Sequence, residues 1–322
     1  MALLTAVLWC AALLLLLCAV CVTALVRIAA ARVIVKHLHK PDRQTHTPWD
    51  AYSAEAGREI EWFERQLPEK VEITSFDGLK LRGSYLPAGE EKQAVLLMHG
   101  YRAKGGISDF APLLRFYHEL GLSVLVVDQR AHGQSEGKWI CYGVKERYDC
   151  KQWLEWLNGR AHFADLFLSG LSMGAATVLM ATALALPSNV RGVVADCGFT
   201  SPWEICGHVL HVQYHLPKWP LLPLANAAVR HAAGYDLREA SAVEAMRKDT
   251  SIPVLFIHGD QDAFVPTWMG RENYEACAAT KVLVIVPGAG HALSVWKASA
   301  DVQAAISAFV KSSSVQEEAP EC

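Results

Sequence analysis

The sequence predicts an α/β fold: a mainly parallel sheet with helices on both faces, led by an antiparallel hairpin. Three observations predict it. From residue 94 onward, short apolar runs alternate with helical segments, the rhythm of units that lay parallel strands side by side. Ahead of them lies a period-two stretch broken by Asp77-Gly78, a hairpin turn signal. Within the alternating part, an apolar run ends in Gly170-Leu171-Ser172-Met173-Gly174 and passes at once into small, helix-compatible residues. That is G-x-S-x-G with a strand before it and a helix after it.

The chain opens on residues 2–26, which carry no charge. As a helix they would extend roughly 37 Å, enough to cross a hydrocarbon core of about 30 Å. A cleavable signal peptide is the alternative, but no Lys or Arg precedes the run and it exceeds the usual apolar region of such peptides. Arg27, Arg32, Lys36, Lys40 and Arg43 all follow it. The positive-inside rule then predicts a single-pass protein of the cell membrane with its main domain in the cytoplasm. The expected organisation is a transmembrane helix at 2–26, a membrane-proximal connector at 27–69, a main domain at 70–312 and a flexible tail at 313–322.

Within the main domain the hairpin occupies 71–76 and 79–86. Strands are expected at 94–98, 122–127, 165–171, 190–195, 254–257 and 282–286. Helices are expected at 109–120, 144–158, 173–185, 269–278 and 293–310. About fifty residues between 199 and 252 break the rhythm. This helical cap insertion, at about 201–250, follows a strand's carboxyl end and should cover a site there.

Composition narrows the function. A net charge of -3 gives no basic footprint for nucleic acid. The nine cysteines form no spaced Cys/His ligand set, so neither a metal nor a disulfide framework is expected and the thiols read as free.

A serine between two glycines at a strand end is exposed on a tight turn, yet its hydroxyl is a poor nucleophile unaided. It needs a base, an acid to orient the base and donors for an oxyanion. Of 13 histidines, His291 has the best claim, in the glycine-rich loop after the last strand. After the preceding strand, His258-Gly259-Asp260-Gln261-Asp262 offers two carboxylates, and spacing does not choose between them. Met173 N–H follows the serine, and a second donor should come from His99-Gly100-Tyr101-Arg102, where His99 reads as a brace for the loop.

Together with Asp128-Gln129-Arg130-Ala131-His132-Gly133-Gln134-Ser135, Val265-Pro266 and Gly290-His291, these stretches resemble the α/β-hydrolase superfamily. The nearest likeness is to bacterial membrane-anchored members of the serine-aminopeptidase-like and dienelactone-hydrolase-like groups, over about residues 70 to 312. The resemblance implies Ser172 as nucleophile, His291 as base and Asp262, not Asp260, as the orienting acid. It implies Tyr101 and Met173 N–H as oxyanion donors and a structural role for residues 128–135, so His132 and Ser135 are not catalytic. It implies acyl transfer to water without cofactor or metal. The expected substrate is a small-molecule carboxylic ester of short or medium acyl chain, and a membrane-lipid ester, suggested by the anchor alone, is the third choice. A peptide with a free amine, met by Glu204 or Asp236 of the insertion, is the second choice. A non-catalytic binding scaffold would lack a triad member, and none is missing.

Overall fold

A computed structural model describes residues 2–32, 48–248 and 251–314. Residues 33–47 of the expected connector, with Lys36, Lys40 and Arg43, and residues 315–322 of the expected tail lie outside the described residues.

Eight strands form one sheet in the order β1-β2-β4-β3-β5-β6-β7-β8. They are β1 Glu69–Thr74, β2 Lys80–Leu86, β3 Gln93–Met98, β4 Ser123–Asp128, β5 Asp165–Leu171, β6 Val190–Asp196, β7 Val254–Gly259 and β8 Lys281–Val286. β2 runs antiparallel to β1 and β4, and all other pairs are parallel. The turn joining β1 to β2 holds Gly78 at φ +86, a conformation open to glycine at little cost.

Helices α1 Ala2–Ala30 and α2 Ser53–Arg65 precede the sheet; α3 Gly106–Asp109, α4 Ala111–Glu119, α5 Glu146–Arg160 and α6 Met173–Ala181 lie within it in sequence. α7 Pro202–Val212, α8 Lys218–Ala233 and α9 Ala242–Arg247 fill the interval after β6. α10 Thr267–Ala276, α11 Ser294–Lys297 and α12 Ser299–Ser313 complete the chain. Two expected helices are each broken in two. Pro112 sits in the first turn of α4, where a missing N–H costs nothing and a new helix can begin. Ala298 leaves the helical region at φ -137, ψ 54, so α11 and α12 take different directions.

Strand periodicity divides the core between the two faces. In β3, Ala94, Leu96 and Met98 join the cluster under α5 and α6, with Trp153 and Leu154. Val95 and Leu97 join the other, with Phe63 of α2, Leu114 and Tyr117 of α4 and Phe309 of α12. A buried ion pair ties the hairpin to this body. Arg130, after β4, meets Asp149 of α5 at 2.6 Å and Asp77 at 2.9 Å.

The N-terminal helix departs from expectation. Among the described residues no helix is long and apolar enough to cross a membrane, which overturns the single-pass, cytoplasm-facing placement. The physical reason lies in how the helix ends. It runs past residue 26 to Ala30 and carries Arg27 in its last turn, while Val22, Val26 and Ala30 are buried as it packs along α8. Of the residues assigned to lipid, Val22 and Val26 are covered by protein instead. Arg32, one of the basic residues used to orient the span, donates to the Ser135 carbonyl at 2.5 Å and the Gly133 carbonyl at 2.7 Å.

Candidate active site

β5 ends in the middle of the sheet, flanked by β3 and β6, and Ser172 follows it directly. Its backbone sits at φ 56, ψ -115, a region a non-glycine residue enters only when its surroundings force it. The forcing contacts are present. Ser172 N–H donates to the Asp196 carbonyl at the end of β6 at 2.8 Å, and Ala176 N–H donates to the Ser172 carbonyl at 3.0 Å as α6 begins. The two glycines are dictated by space. A Cβ on Gly174 would lie 1.8 Å from the Met98 carbonyl oxygen, and one on Gly170 would lie 2.4 Å from the Gly174 oxygen.

Two later loops bring the partners. Ser172 Oγ lies 2.9 Å from His291 Nε2, and His291 Nδ1 lies 2.7 Å from Asp262 Oδ2. A carboxylate can only accept, so Nδ1 carries the ring proton and Nε2 is free to accept from the hydroxyl. Asp262 is held by its other oxygen, which accepts from Phe264 N–H at 2.9 Å and Val265 N–H at 2.8 Å. Burial alone would raise its pKa. The hydrogen bonds and charges of His258 and His291 outweigh that and hold the carboxyl down at about 2. Asp260 turns elsewhere: it accepts from Gly288 N–H at 2.7 Å and ties the loop after β7 to the loop after β8.

Sequence reasoning gave His258 no role, though it is the first residue of the H-G-x-x-D stretch. It lies 3.4 Å from Asp262 Oδ2 and its Nε2 donates to the Val265 carbonyl at 2.9 Å. Asp109 was also missed. Its carboxylate accepts Gly100 N–H at 2.8 Å, fixing the loop that carries Tyr101, and burial pushes it up to about 6.

Two imidazoles brace that same loop. His99 Nε2 accepts from Gln129 N–H at 2.9 Å, and His132 Nε2 accepts from Arg102 N–H at 3.0 Å. Both must be neutral to accept, and burial depresses His99 to about 4 and, with repulsion from His99, His132 to about 3. A folded pKa below the unfolded 6.5 means that the unfolded chain protonates first as pH falls. Each ring therefore supports the fold fully above pH 6.5 and costs stability below it, until the folded pKa is reached. Asp109 and Asp196, both raised to about 6 by burial, act in the opposite sense, so the useful measurement is a difference. The stability gap between wild type and His132→Asn, from urea titration, should shrink by about 2 kcal/mol between pH 7.5 and pH 5. A constant gap would show that His132 is not held neutral.

Ser172, Met173 and Tyr101 line a cavity of about 360 Å³, together with residues of the α7–α8 region and of the end of α1. The walls are largely apolar, and no carboxylate is among the described residues that line it. Cys197, Asp262 and His291 offer ligand atoms within 4.8 Å of one another. Asp262 and His291 are already joined to each other, and burial holds the Cys197 thiol well above its usual pKa, so the set suits a hydrogen-bonded relay better than a cation. The described cysteines are free thiols.

Comparison with known proteins agrees with this architecture. The family model described as serine aminopeptidase, S33, matches residues 89–220, and one described as TAP-like protein matches 225–322. YqkD of Bacillus subtilis, itself described as uncharacterized, is 30% identical over 239 residues, covering 74% of this chain and 77% of YqkD. The chain is an α/β hydrolase. Rv2307c of Mycobacterium tuberculosis is 32% identical to the hydrolase over 225 residues, 69% of this chain and 71% of that protein. Among solved structures, the Pyrococcus furiosus esterase Pf2001 superposes on the hydrolase with a TM-score of 0.63 at 22% identity, covering 78% of this chain and 94% of the esterase. The Exiguobacterium antarcticum esterase EaEST gives 0.57 at 18% identity, over 76% and 100% of the two chains. At such identities the likeness of the hydrolase to both is one of fold.

Proposed function

We propose that the protein hydrolyses a small-molecule carboxylic ester through an acyl-enzyme. Ser172 Oγ attacks the carbonyl carbon as its proton passes to His291 Nε2, and Asp262 holds the ring and stabilises the imidazolium. The oxyanion is met by the N–H groups of Met173, at the start of α6, and of Tyr101. The imidazolium returns the proton to the departing alcohol oxygen as the C–O bond breaks. Water then repeats the sequence on the acyl-serine and releases the acid. These steps call on no metal or organic cofactor.

One observation carries the choice of ester: the Ser172–His291–Asp262 chain opens into an apolar cavity with no carboxylate among its described lining residues. An aminopeptidase needs an acidic group for the substrate amine. Glu204 is exposed in the first turn of α7. Asp236 accepts from Asn226 at 2.9 Å and pairs with Arg230 at 3.5 Å. Neither lines the cavity. The lipid reading leaned on the membrane anchor and loses its support with it.

The test is a panel of p-nitrophenyl acyl esters against aminoacyl-p-nitroanilides, with a fluorophosphonate probe to mark the nucleophile. Ester turnover with a label that maps to Ser172 is expected. Turnover of the anilides alone points to a peptidase, and no label at Ser172 sinks the serine mechanism.

A further inference from the structure

The end of α1 is fastened into the active site. A helix leaves its last carbonyls without partners of its own, and here the α/β body supplies them. Ala29 O accepts from Tyr101 Oη at 2.6 Å and from Tyr142 Oη at 2.7 Å. Ile28 O accepts from the Arg102 guanidinium, and Ala30 O accepts Ile140 N–H at 2.7 Å. The rings of Tyr101 and Tyr142 stack with centroids 5.5 Å apart. Burial pushes both phenols up, so each remains a donor.

Two consequences meet at Tyr101. It lines the cavity together with Ser172, while its hydroxyl is committed to α1. On the same helix, Leu25, Val26 and Ile28 line the cavity above the serine. Val26 is 5% exposed, so its side chain is enclosed between the cavity and the cap helices.

We propose that the last turns of α1 form a substrate-selecting wall that sets the length of acyl chain accepted, and that the Tyr101–Ala29–Tyr142 latch keeps the Tyr101 loop in register with it. The acyl chain lies along Val26 and Leu25, so side-chain volume there subtracts directly from the chain it can hold. Tyr101 Oη and Tyr142 Oη are positioning groups, acting through the backbone of the loop rather than on substrate. The proposal rests on the ester-hydrolase reading above and names the part of its substrate that the site discriminates.

The experiment uses the full chain and p-nitrophenyl esters from acetate to dodecanoate, with active sites counted by fluorophosphonate labelling. Val26→Phe should lower the ratio of dodecanoate to acetate turnover by about 10-fold or more, since each methylene denied its pocket costs discrimination of that order. Val26→Ala should move the ratio the other way. The double variant Tyr101→Phe, Tyr142→Phe should lower kcat per labelled site by about 10-fold, with KM little changed. A merely structural role would lower the number of labelled sites and leave kcat per site intact. Should Val26→Phe fail to fold, Val26→Ala decides alone. Chain-length profiles that superimpose on wild type in the folded variants overturn the wall, and an unchanged kcat per site overturns the latch. Failure of the ester reading looks different: wild type itself would neither turn over esters nor label at Ser172.

Discussion

Replacing Ser172 or His291 by alanine, singly or together, is expected to lower ester turnover by much the same factor, about 10⁶. The reason is mechanical. In the proposed mechanism Ser172 Oγ and His291 Nε2, 2.9 Å apart, perform one event between them, since the oxygen attacks only as its proton leaves. Without the ring the hydroxyl keeps its proton, and without the hydroxyl the ring has nothing to activate. The second deletion therefore removes what the first has already lost. A residue of about 10³-fold over water should survive in the double variant, from the oxyanion donors and the cavity. Steady-state turnover, with the fold checked by circular dichroism, measures all three variants. Additive losses, or a Ser172→Ala enzyme within tenfold of wild type, would remove the relay from the mechanism.

Asp262→Asn should cost about 10⁴-fold in kcat, while Asp260→Asn should cost far less. The asparagine oxygen can still accept from Phe264 and Val265 N–H, as Asp262 Oδ1 does now, so the loop should keep its shape. Its amide then faces His291 Nδ1 as a donor and forces that nitrogen to accept. The proton moves to Nε2, which presents a donor to Ser172 where an acceptor is needed. Asp260 instead holds Gly288 N–H, a contact between loops that its amide oxygen can retain. Equal losses in the two variants would mean that the loop, not the tautomer, is what Asp262 controls.

The contrast between these two aspartates marks a limit of the sequence. Both sit in one turn, two residues apart, and both suit turn chemistry. Only the path of the chain after β8 brings His291 over one and Gly288 over the other. The strands were legible because their apolar runs have one meaning: buried on both faces, as β3 and β5 are. The uncharged N-terminal run has two. Leucine and valine report that they will leave water, not whether lipid or protein receives them, so the burial of Val22, Val26 and Ala30 against the body could not be read from hydropathy. The breaks at Pro112 and Ala298 differ in the same way. A proline in a helical pattern is a visible signal, whereas nothing about an alanine between Lys297 and Ser299 announces that the helix turns there.

β6 contributes no side chain to the Ser172–His291–Asp262 relay, yet it lies between the strand that precedes Ser172 and the strand that precedes Asp262. At strand spacings of about 4.8 Å it keeps β5 and β7 roughly 10 Å apart. Serine and carboxylate are thereby denied direct contact, and a group reaching over from beyond β8 must bridge them. An imidazole ring with a hydrogen bond of 2.9 Å on one side and 2.7 Å on the other does so. The same strand's Asp196 carbonyl pins the Ser172 backbone at 2.8 Å. β6 is thus the gauge block of the site, and a one-residue slip in its register would move the serine while leaving every side chain of the relay in the sequence.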